Sequence, residues 1–463
     1  MSNFINFAGK LISVADSFLW GPVLLTLLLG THVFYTFRLL GIQRYIGTAF
    51  RLVIKRDRSL NGNVSPFAAL AVALASTIGT GNVVGVATAI ALGGPGAVFW
   101  CMMTGIFGMA TKYAESLLAV KYRQVDEQGE VHGGPMYTIQ NGLHCRWLAI
   151  AFSVAAAIAV IGTGDLVQSN AIAVIVKDTF GVPNWLCGLL LAVMIGLVII
   201  GGLQNIARFC TAMVPLMAFV YLAGSLVLLY INRAFLDDTV LLIVKSAFSR
   251  QAAAGGIAGY GIMLAARYGI ARGLFSNEAG MGSEPIVAAT AKTRNAVRQG
   301  LVSYTGTFCT IIICALTGLI IVSSALANRQ TAFSNNTLLT HEAFMRIPYV
   351  GNYLLCFVIL AFASTTIIGW FYYGEQCVSF LCQKKPFVMG YKILFVLMVF
   401  FGSIGSLSIV WDFADLANGF MVLPNIISLI CLNKVVVAET KKYLWSGHLD
   451  ELDTSCALDG HHF

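Results

Sequence analysis

Apolar residues in this chain do not alternate and do not recur on one helical face. They run together in stretches of about 20, the length an α-helix needs to cross the hydrocarbon core of a bilayer. Such stretches lie near residues 18–37, 66–92, 96–120, 148–176, 185–202, 210–231, 253–272, 301–326, 352–381, 388–404 and 412–437. The pattern predicts an all-α integral membrane protein of about eleven transmembrane helices, forming a single polytopic domain over residues 1–463. The first stretch is too long for the apolar region of a cleavable leader, and no small-residue cleavage site follows it, so it reads as a retained helix. Residues 445–463 are polar and read as a short tail.

Composition agrees with that pattern. Of 463 residues, 58% are hydrophobic and 11% charged, and the mean hydropathy is +0.80. A soluble domain carries about 25% charged residues, so this chain has too little polar surface to face water all round. The net charge of +8 would suggest nucleic acid on a soluble chain. Here the basic residues sit between apolar stretches, which is how membrane orientation is encoded. If the spans simply alternate, 22 of the 29 Lys and Arg residues fall on one side. That side, with Arg38–Arg58, Arg267–Arg298 and Lys434–Lys442, reads as cytoplasmic. The N-terminus is then outside and the C-terminus inside. The 11 cysteines lie mostly within apolar stretches and contain no CxxC pair, so they read as packing residues. The sequence has no HExxH, GxSxG or nucleotide-binding motif and no cluster of carboxylates, so neither an enzyme nor a cofactor is predicted.

Two of the predicted helices are interrupted by glycine. The second contains Ser76-Thr-Ile-Gly-Thr-Gly-Asn82, with Gly79 and Gly81 near its centre. Each glycine weakens a helix by about 1 kcal/mol relative to alanine. A freed backbone group in lipid needs another partner. The amides of Gly79, Thr80 and Gly81, at the positive end of a half-helix starting at Asn82, suit a carboxylate. The carbonyls of Ala75 and Ile78 at the end of the first half suit a cation. The competing reading is a packing notch, since Gly81 and Gly85 form a GxxxG pair. The seventh stretch carries Gly255, Gly256, Gly259, Gly261, Gly269 and Gly273, and then Phe275-Ser-Asn-Glu-Ala-Gly-Met-Gly-Ser283. With the first stretch set aside, 66–231 and 253–437 form two five-helix halves. Each begins with its interrupted helix, and an odd number of spans inserts the halves with opposite orientation. Interrupted helices at matching places in inverted halves point to a transporter site.

Other polar residues inside apolar stretches are candidates of lower specificity. Thr365 and Thr366 are adjacent hydroxyls in the ninth stretch, although such threonines commonly bond back to their own helix. Asp165, Gln168 and Asn170 lie in the fourth, and an intramembrane aspartate is a functional candidate by default. Lys112 and Glu115, spaced i,i+3, read as a snorkelling structural pair at the inner end of the third stretch.

At these residues the chain resembles the alanine or glycine:cation symporter family. The matching stretches are 65–90, Gly93-Gly-Pro-Gly96, Gly108-Met-Ala-Thr-Lys-Tyr-Ala-Glu115, Gly133-Gly-Pro-Met-Tyr137, 168–170 and 273–283. The resemblance implies an eleven-helix protein with the inverted five-plus-five core of the bacterial leucine transporter, in a prokaryotic plasma or inner membrane. It implies sodium-coupled, or sometimes proton-coupled, uptake of alanine, glycine and similar small amino acids. Thr77, Gly79, Thr80, Gly81 and Asn82 would surround the substrate carboxylate, with Gln168 and Trp370 lining the pocket and Trp370 limiting side-chain size. Ala75, Ile78, Thr365 and Thr366 would hold sodium. Asp165 departs from the family, which usually has asparagine there, and is a possible coupling residue.

Overall fold

A computed structural model describes residues 23–55, 62–248, 261–329, 333, 336–405, 407–453 and 458–459. The predicted features at residues 18–22, Gly255, Gly256 and Gly259 lie outside the described residues. The described residues are 83% helical and 2% strand. In order, the helices that build the bundle are α1 (Leu24–Arg38), α2 (Ile46–Ile54), α3 (Pro66–Thr77), α4 (Val86–Gly93), α5 (Gly96–Lys121), α6 (Arg146–Ala159), α7 (Val167–Phe180), α8 (Asn184–Ile200), α9 (Gly202–Ile231) and α10 (Leu236–Phe248). They continue as α11 (Gly261–Asn277), α12 (Pro285–Ala288), α13 (Ala296–Ala327), α14 (Asn336–Phe344), α15 (Gly351–Leu381), α16 (Lys385–Ile404), α17 (Leu407–Cys431) and α18 (Asn433–Thr440). Five helices among the described residues are long and apolar enough to cross a membrane, or up to eight if each bent pair counts as one span.

The outside of the bundle is apolar. Leu190, Leu197, Ile200, Phe219 and Leu226 on α8 and α9 are all more than half exposed. Leucine and phenylalanine facing outward along whole helices need lipid as their solvent. This is a multi-pass membrane protein.

The core is built by close backbone approach around α15, whose residues Ala361–Gly374 are buried. A Cβ on Gly369 would come within 2.9 Å of the Ser76 backbone nitrogen on α3. One on Gly164 would meet Trp370 Cβ at 2.4 Å. These glycines are therefore contact points between helices rather than flexible joints. Gly269 and Gly273 play the same part against α5, where a Cβ would lie 2.4 Å from the Ala97 carbonyl oxygen and 2.9 Å from that of Cys101.

The sequence reading is corrected in two places. The links contain helices it did not anticipate, namely α2, α10 and α14, and the last predicted stretch, 412–437, runs past the end of α17 into the separate short helix α18. These helices are short, so they give no stretch of spanning length. The second interruption also differs. The helix continues through Arg267 and Arg272 to Asn277, and the chain leaves it only at Glu278, so the break falls in the Glu-Ala-Gly-Met-Gly-Ser run. Glu278, Gly280 and Gly282 take φ values of 51°, 84° and 84°, a left-handed run that no helix continues through.

At one end of the bundle a hairpin of β1 (Gln124–Val125) and β2 (Val131–His132) receives β3 (Leu458–Asp459), which pairs parallel to β1. The tail leading to β3 is clasped. Asn295 donates to the Leu449 and Glu451 carbonyls at 2.9 Å each. Lys121 lies 3.2 Å from Asp453, and Asp450 pairs with Lys55 at 3.1 Å and with Arg298. The hydrogen bond from Lys55, helped by the Arg298 charge, holds the Asp450 carboxyl below the usual carboxylate range. A lowered value means the clasp is complete above the unfolded carboxylate pKa of about 3.9 and fades as pH falls through the folded value. Exposed pairs contribute under about 1 kcal/mol, so the effect is local. Asp450→Asn at pH 7 should leave the melting temperature nearly unchanged and open the tail to limited proteolysis. An equally protected tail would remove this clasp.

Candidate functional site

Ser65 accepts a hydrogen bond from the Ala68 amide at 3.1 Å and Pro66 takes the first helical position, so α3 starts at a built cap. It ends at Thr77. Ile78 and Gly79 leave the helix, the chain returns to helical dihedrals at Thr80 and continues in a π-helical turn at Gly81–Gly85, and the two half-helices are bent by 52°. Asn82 staples this break: its side-chain amide donates to the Thr77 carbonyl at 2.7 Å, and its own carbonyl accepts from Thr317 at 2.9 Å. Gly81 does act as a notch as well, since a Cβ there would touch Phe275 at 3.0 Å. The break and the notch coexist.

Helix α15 serves the carbonyls that the break frees. Thr366 donates from Oγ1 to the Ala75 carbonyl at 3.1 Å and lies 3.4 Å from that of Ile78. Trp370 Nε1 reaches the Ser76 carbonyl at 3.3 Å. Thr365 does not join this group. Its hydroxyl bonds back to Ala361 and Phe362 and faces Met217 Sδ at 3.4 Å, because adjacent residues on a helix point about 100° apart.

On the other wall, Gln168 Oε1 accepts from the Thr80 hydroxyl at 3.0 Å and stands 3.5 Å from the Thr80 amide, while its Nε2 donates to the Thr163 carbonyl. Residues of the first break (Ser76, Thr77, Gly79 and Gly81), Thr163 and Gln168, Thr366 and Trp370 of α15, and Phe275, Glu278 and Met281 around the second break together line a central cavity. Its volume is about 10 Å³, room for a single water-sized probe, so an amino acid enters only if the walls move. Nearer the hairpin end lies a second cavity of about 550 Å³, lined by Asp126, Glu130, His132, Tyr372, Glu375 and Gln376 among others. Ser76 and Tyr373, joined at 2.6 Å between their hydroxyls, stand on the α3 and α15 segments near both cavities. Asp165 is fully buried but does not line the central cavity, and among the described residues neither carboxylate oxygen has a hydrogen-bond partner. Asn170 ties α7 to α16 through the Gly402 and Gly405 carbonyls at 2.9 Å each.

The second break was not recognised as a charged site from the sequence, and Lys112 and Glu115 are corrected here. They do not snorkel. Lys112 is fully buried, pairs with Glu284 at 2.9 Å and donates to the Glu278 carbonyl at 3.0 Å. Glu115 accepts the Gly280 and Gly282 amides at 3.0 Å each and the Asn425 side-chain amide at 2.6 Å. Helix α5 thus holds the second break as α15 and α13 hold the first. The i,i+3 spacing put both charges on one face, but nothing in it revealed that a broken backbone lay opposite.

The profile of the sodium:alanine symporter family matches residues 5–454. An uncharacterized transporter of Haemophilus influenzae is 46% identical over 440 residues, covering 94% of this chain and 96% of its own. The sodium/alanine symporter AgcS of Methanococcus maripaludis is 44% identical over 443 residues, covering 94% and 97%. A probable sodium/glutamine symporter, GlnT of Bacillus subtilis, is 36% identical over 94% of this chain and 90% of its own. Among solved structures, MhsT in complex with L-phenylalanine superposes with a TM-score of 0.57 at 12% identity, over 82% of this chain and 98% of that one. A manganese transporter mutant of Eremococcus coleocola does so at 0.54, with 16% identity over 84% and 81%. Those likenesses place the chain in a transporter fold.

Breaking a buried ion pair by removing one partner costs about 3–5 kcal/mol, because the other charge is stranded. Lys112→Met should therefore lower the melting temperature of the detergent-purified protein strongly. Lys112→Met with Glu284→Leu should recover a substantial part of the loss. If the single variant melts like the parent, the pair is not what holds the second break.

Proposed function

This chain belongs to the sodium:alanine symporter family, and on that premise we propose that it carries a small neutral amino acid such as alanine or glycine into the cell with a cation, in the first instance sodium. Membership makes it a transporter and not an enzyme. The reading of eleven spans in two inverted halves, 66–231 and 253–437, is supported by the broken helix near the start of each half. The basic-residue bias supports an outside N-terminus.

The observation that carries the mechanism is the Thr366 hydroxyl, lent by α15 to the carbonyls of Ala75 and Ile78. When sodium arrives, the hydroxyl hydrogen turns away and three oxygens face the ion. This is the hard-ligand set such a cation takes. The substrate carboxylate replaces the Gln168 oxygen as acceptor for the Thr80 amide and hydroxyl, beside Gly79 and Gly81. The negative carboxylate and the positive ion then lie next to each other. Each improves the site for the other by the same factor, which is thermodynamic coupling. One sodium entering at 100 mV supplies about 2.3 kcal/mol. A tenfold gradient adds about 1.4 kcal/mol, and together they sustain roughly 500-fold accumulation. Trp370 and Phe275 close over the substrate side chain and favour a methyl group or hydrogen. A proton-coupled cycle, or another small solute, is the alternative, and Asp165 is the residue that favours it.

The test is uptake of labelled alanine and glycine into proteoliposomes under imposed sodium or proton gradients. Absence of accumulation under every gradient would overturn the symport reading. Thr366→Ala should raise the sodium half-saturation at least about tenfold, because it removes one of the three oxygens proposed to face the ion. Thr365→Ala should leave it within about twofold. The reverse result would put the ion on the Met217 side of α15. Asp165→Asn should retain uptake and flatten its pH profile, and an identical profile would make Asp165 structural.

A further inference from the structure

The two breaks lining the central cavity differ in charge character. The first break offers the Thr80 hydroxyl and amide as donors, now met by the Gln168 oxygen, beside the Ala75 and Ile78 carbonyls that Thr366 serves. The second break offers a carboxylate. Glu278 is 4% exposed and lines the same cavity as Gly79 and Gln168. Its φ of 51° is rare for a residue with a side chain, and the fold holds that turn with Lys112 on the Glu278 carbonyl and Glu115 on the two amides that follow.

The Glu278 carboxylate is fixed by neutral groups. The single Trp370 Nε1–H, shared with the Ser76 carbonyl, donates to Oε1 at 3.2 Å, and the Ser283 hydroxyl donates to Oε2 at 2.6 Å. A carboxylate has about four acceptor positions, so two are left. Lys112 is engaged with Glu284 and with the Glu278 backbone, and among the described residues Glu278 makes no ion pair. The Lys112 charge acts on this buried carboxylate from the backbone side, but among the described residues no cation contacts its oxygens, and a cation arriving beside them gains from pairing with a buried charge.

Resting on the symport reading above, we propose that Glu278 receives the α-ammonium group of the substrate. The ligand class is then a zwitterion, with its carboxylate at the first break and its ammonium at Glu278, and Trp370 is the positioning residue that aims the carboxylate. Monocarboxylates of the same size fail because they leave Glu278 unpaired, and simple amines fail because they leave the donors at Thr80 unpaired. Discrimination against a ligand missing a group that a buried site is built to pair is large.

The experiment uses the full-length protein in detergent and in proteoliposomes. Binding of alanine, propionate, lactate and ethylamine is read by intrinsic fluorescence at fixed sodium. In the parent protein, propionate and lactate should bind at least about 100-fold more weakly than alanine. Glu278→Gln should weaken alanine about 100-fold and narrow its advantage over propionate to within about tenfold. The sodium half-saturation measured without amino acid should stay within about twofold. Glu278→Asp, which keeps the charge, should retain the preference for alanine over propionate even if both bind more weakly. That variant keeps the test alive if Glu278→Gln does not fold. Three results overturn the proposal: propionate competing as well as alanine in the parent, Glu278→Gln binding alanine within about threefold of the parent, or Glu278→Gln shifting the sodium half-saturation while alanine selectivity is kept. The last would make Glu278 an ion ligand. Failure of the parent to take up any amino acid is a different outcome, and it removes the symport reading itself.

Discussion

A helix that stops inside a membrane leaves amides and carbonyls with no water to satisfy them, and each must find a partner within the protein. In this chain the partners are exchanged between the two parts of the molecule. The carbonyls freed around Thr77 are met by Thr366 and Trp370 of α15, while Thr317 of α13 meets that of Asn82. The amides and carbonyl freed around Glu278 are met by Glu115 and Lys112 of α5. Helices that follow the second break in sequence thus serve the first, and a helix that follows the first serves the second. Any shift of α13 or α15 against α3, or of α5 against the Glu278 turn, must change how these backbone groups are satisfied, and that gives helix movement a direct handle on the site.

The two sets of partners differ in strength. Thr366 and Trp370 offer neutral donors at 3.1–3.4 Å. Bonds of that kind contribute about 1 kcal/mol net and exchange readily for a ligand. Lys112, Glu115 and Glu284 form a buried charged network with contacts of 2.9–3.0 Å, and such contacts are about twice as strong. The second break is the rigid one and the first is the adaptable one. Glu278 sits at the seam, its backbone tied into the charged network and its carboxylate turned to the cavity.

Sequence reasoning reached the first break almost to the residue, because two glycines in a run of small apolar residues are a local signal. Ala75, Ile78, Gly79 and Gln168 do converge there. It had no means of choosing between Thr365 and Thr366, since that choice depends on the rotation of α15, which packing of Gly369 on Ser76 and of Trp370 on Gly164 decides. It spread the second interruption over a row of glycines and the Phe275–Ser283 run that follows them. Gly269 and Gly273 are packing contacts with α5, and the exit from the helix lies within the run, at the left-handed residues Glu278, Gly280 and Gly282. Lys112 and Glu115 looked like surface residues because charged side chains on an apolar helix are most economically sent to its end. Their role became visible only once the chain 165 residues later was brought against them. The short helices in the links escaped because they neither span nor need to.

Gly79 shows why an ion and a substrate would depend on one another here. A Cβ at that position would lie 2.6 Å from the Thr366 oxygen and 3.5 Å from the Gln168 oxygen. One missing side chain thus leaves a single point within reach of both the carbonyl-and-hydroxyl group suited to a cation and the donors suited to a carboxylate. A larger residue would separate the two sites or fill one of them. With hydrogen alone at that position, the cation and the carboxylate of the proposed cycle become neighbours in a space sealed from water, where opposite charges attract far more strongly than in solvent. The absence of a side chain at one residue is then what makes the two binding events a single event.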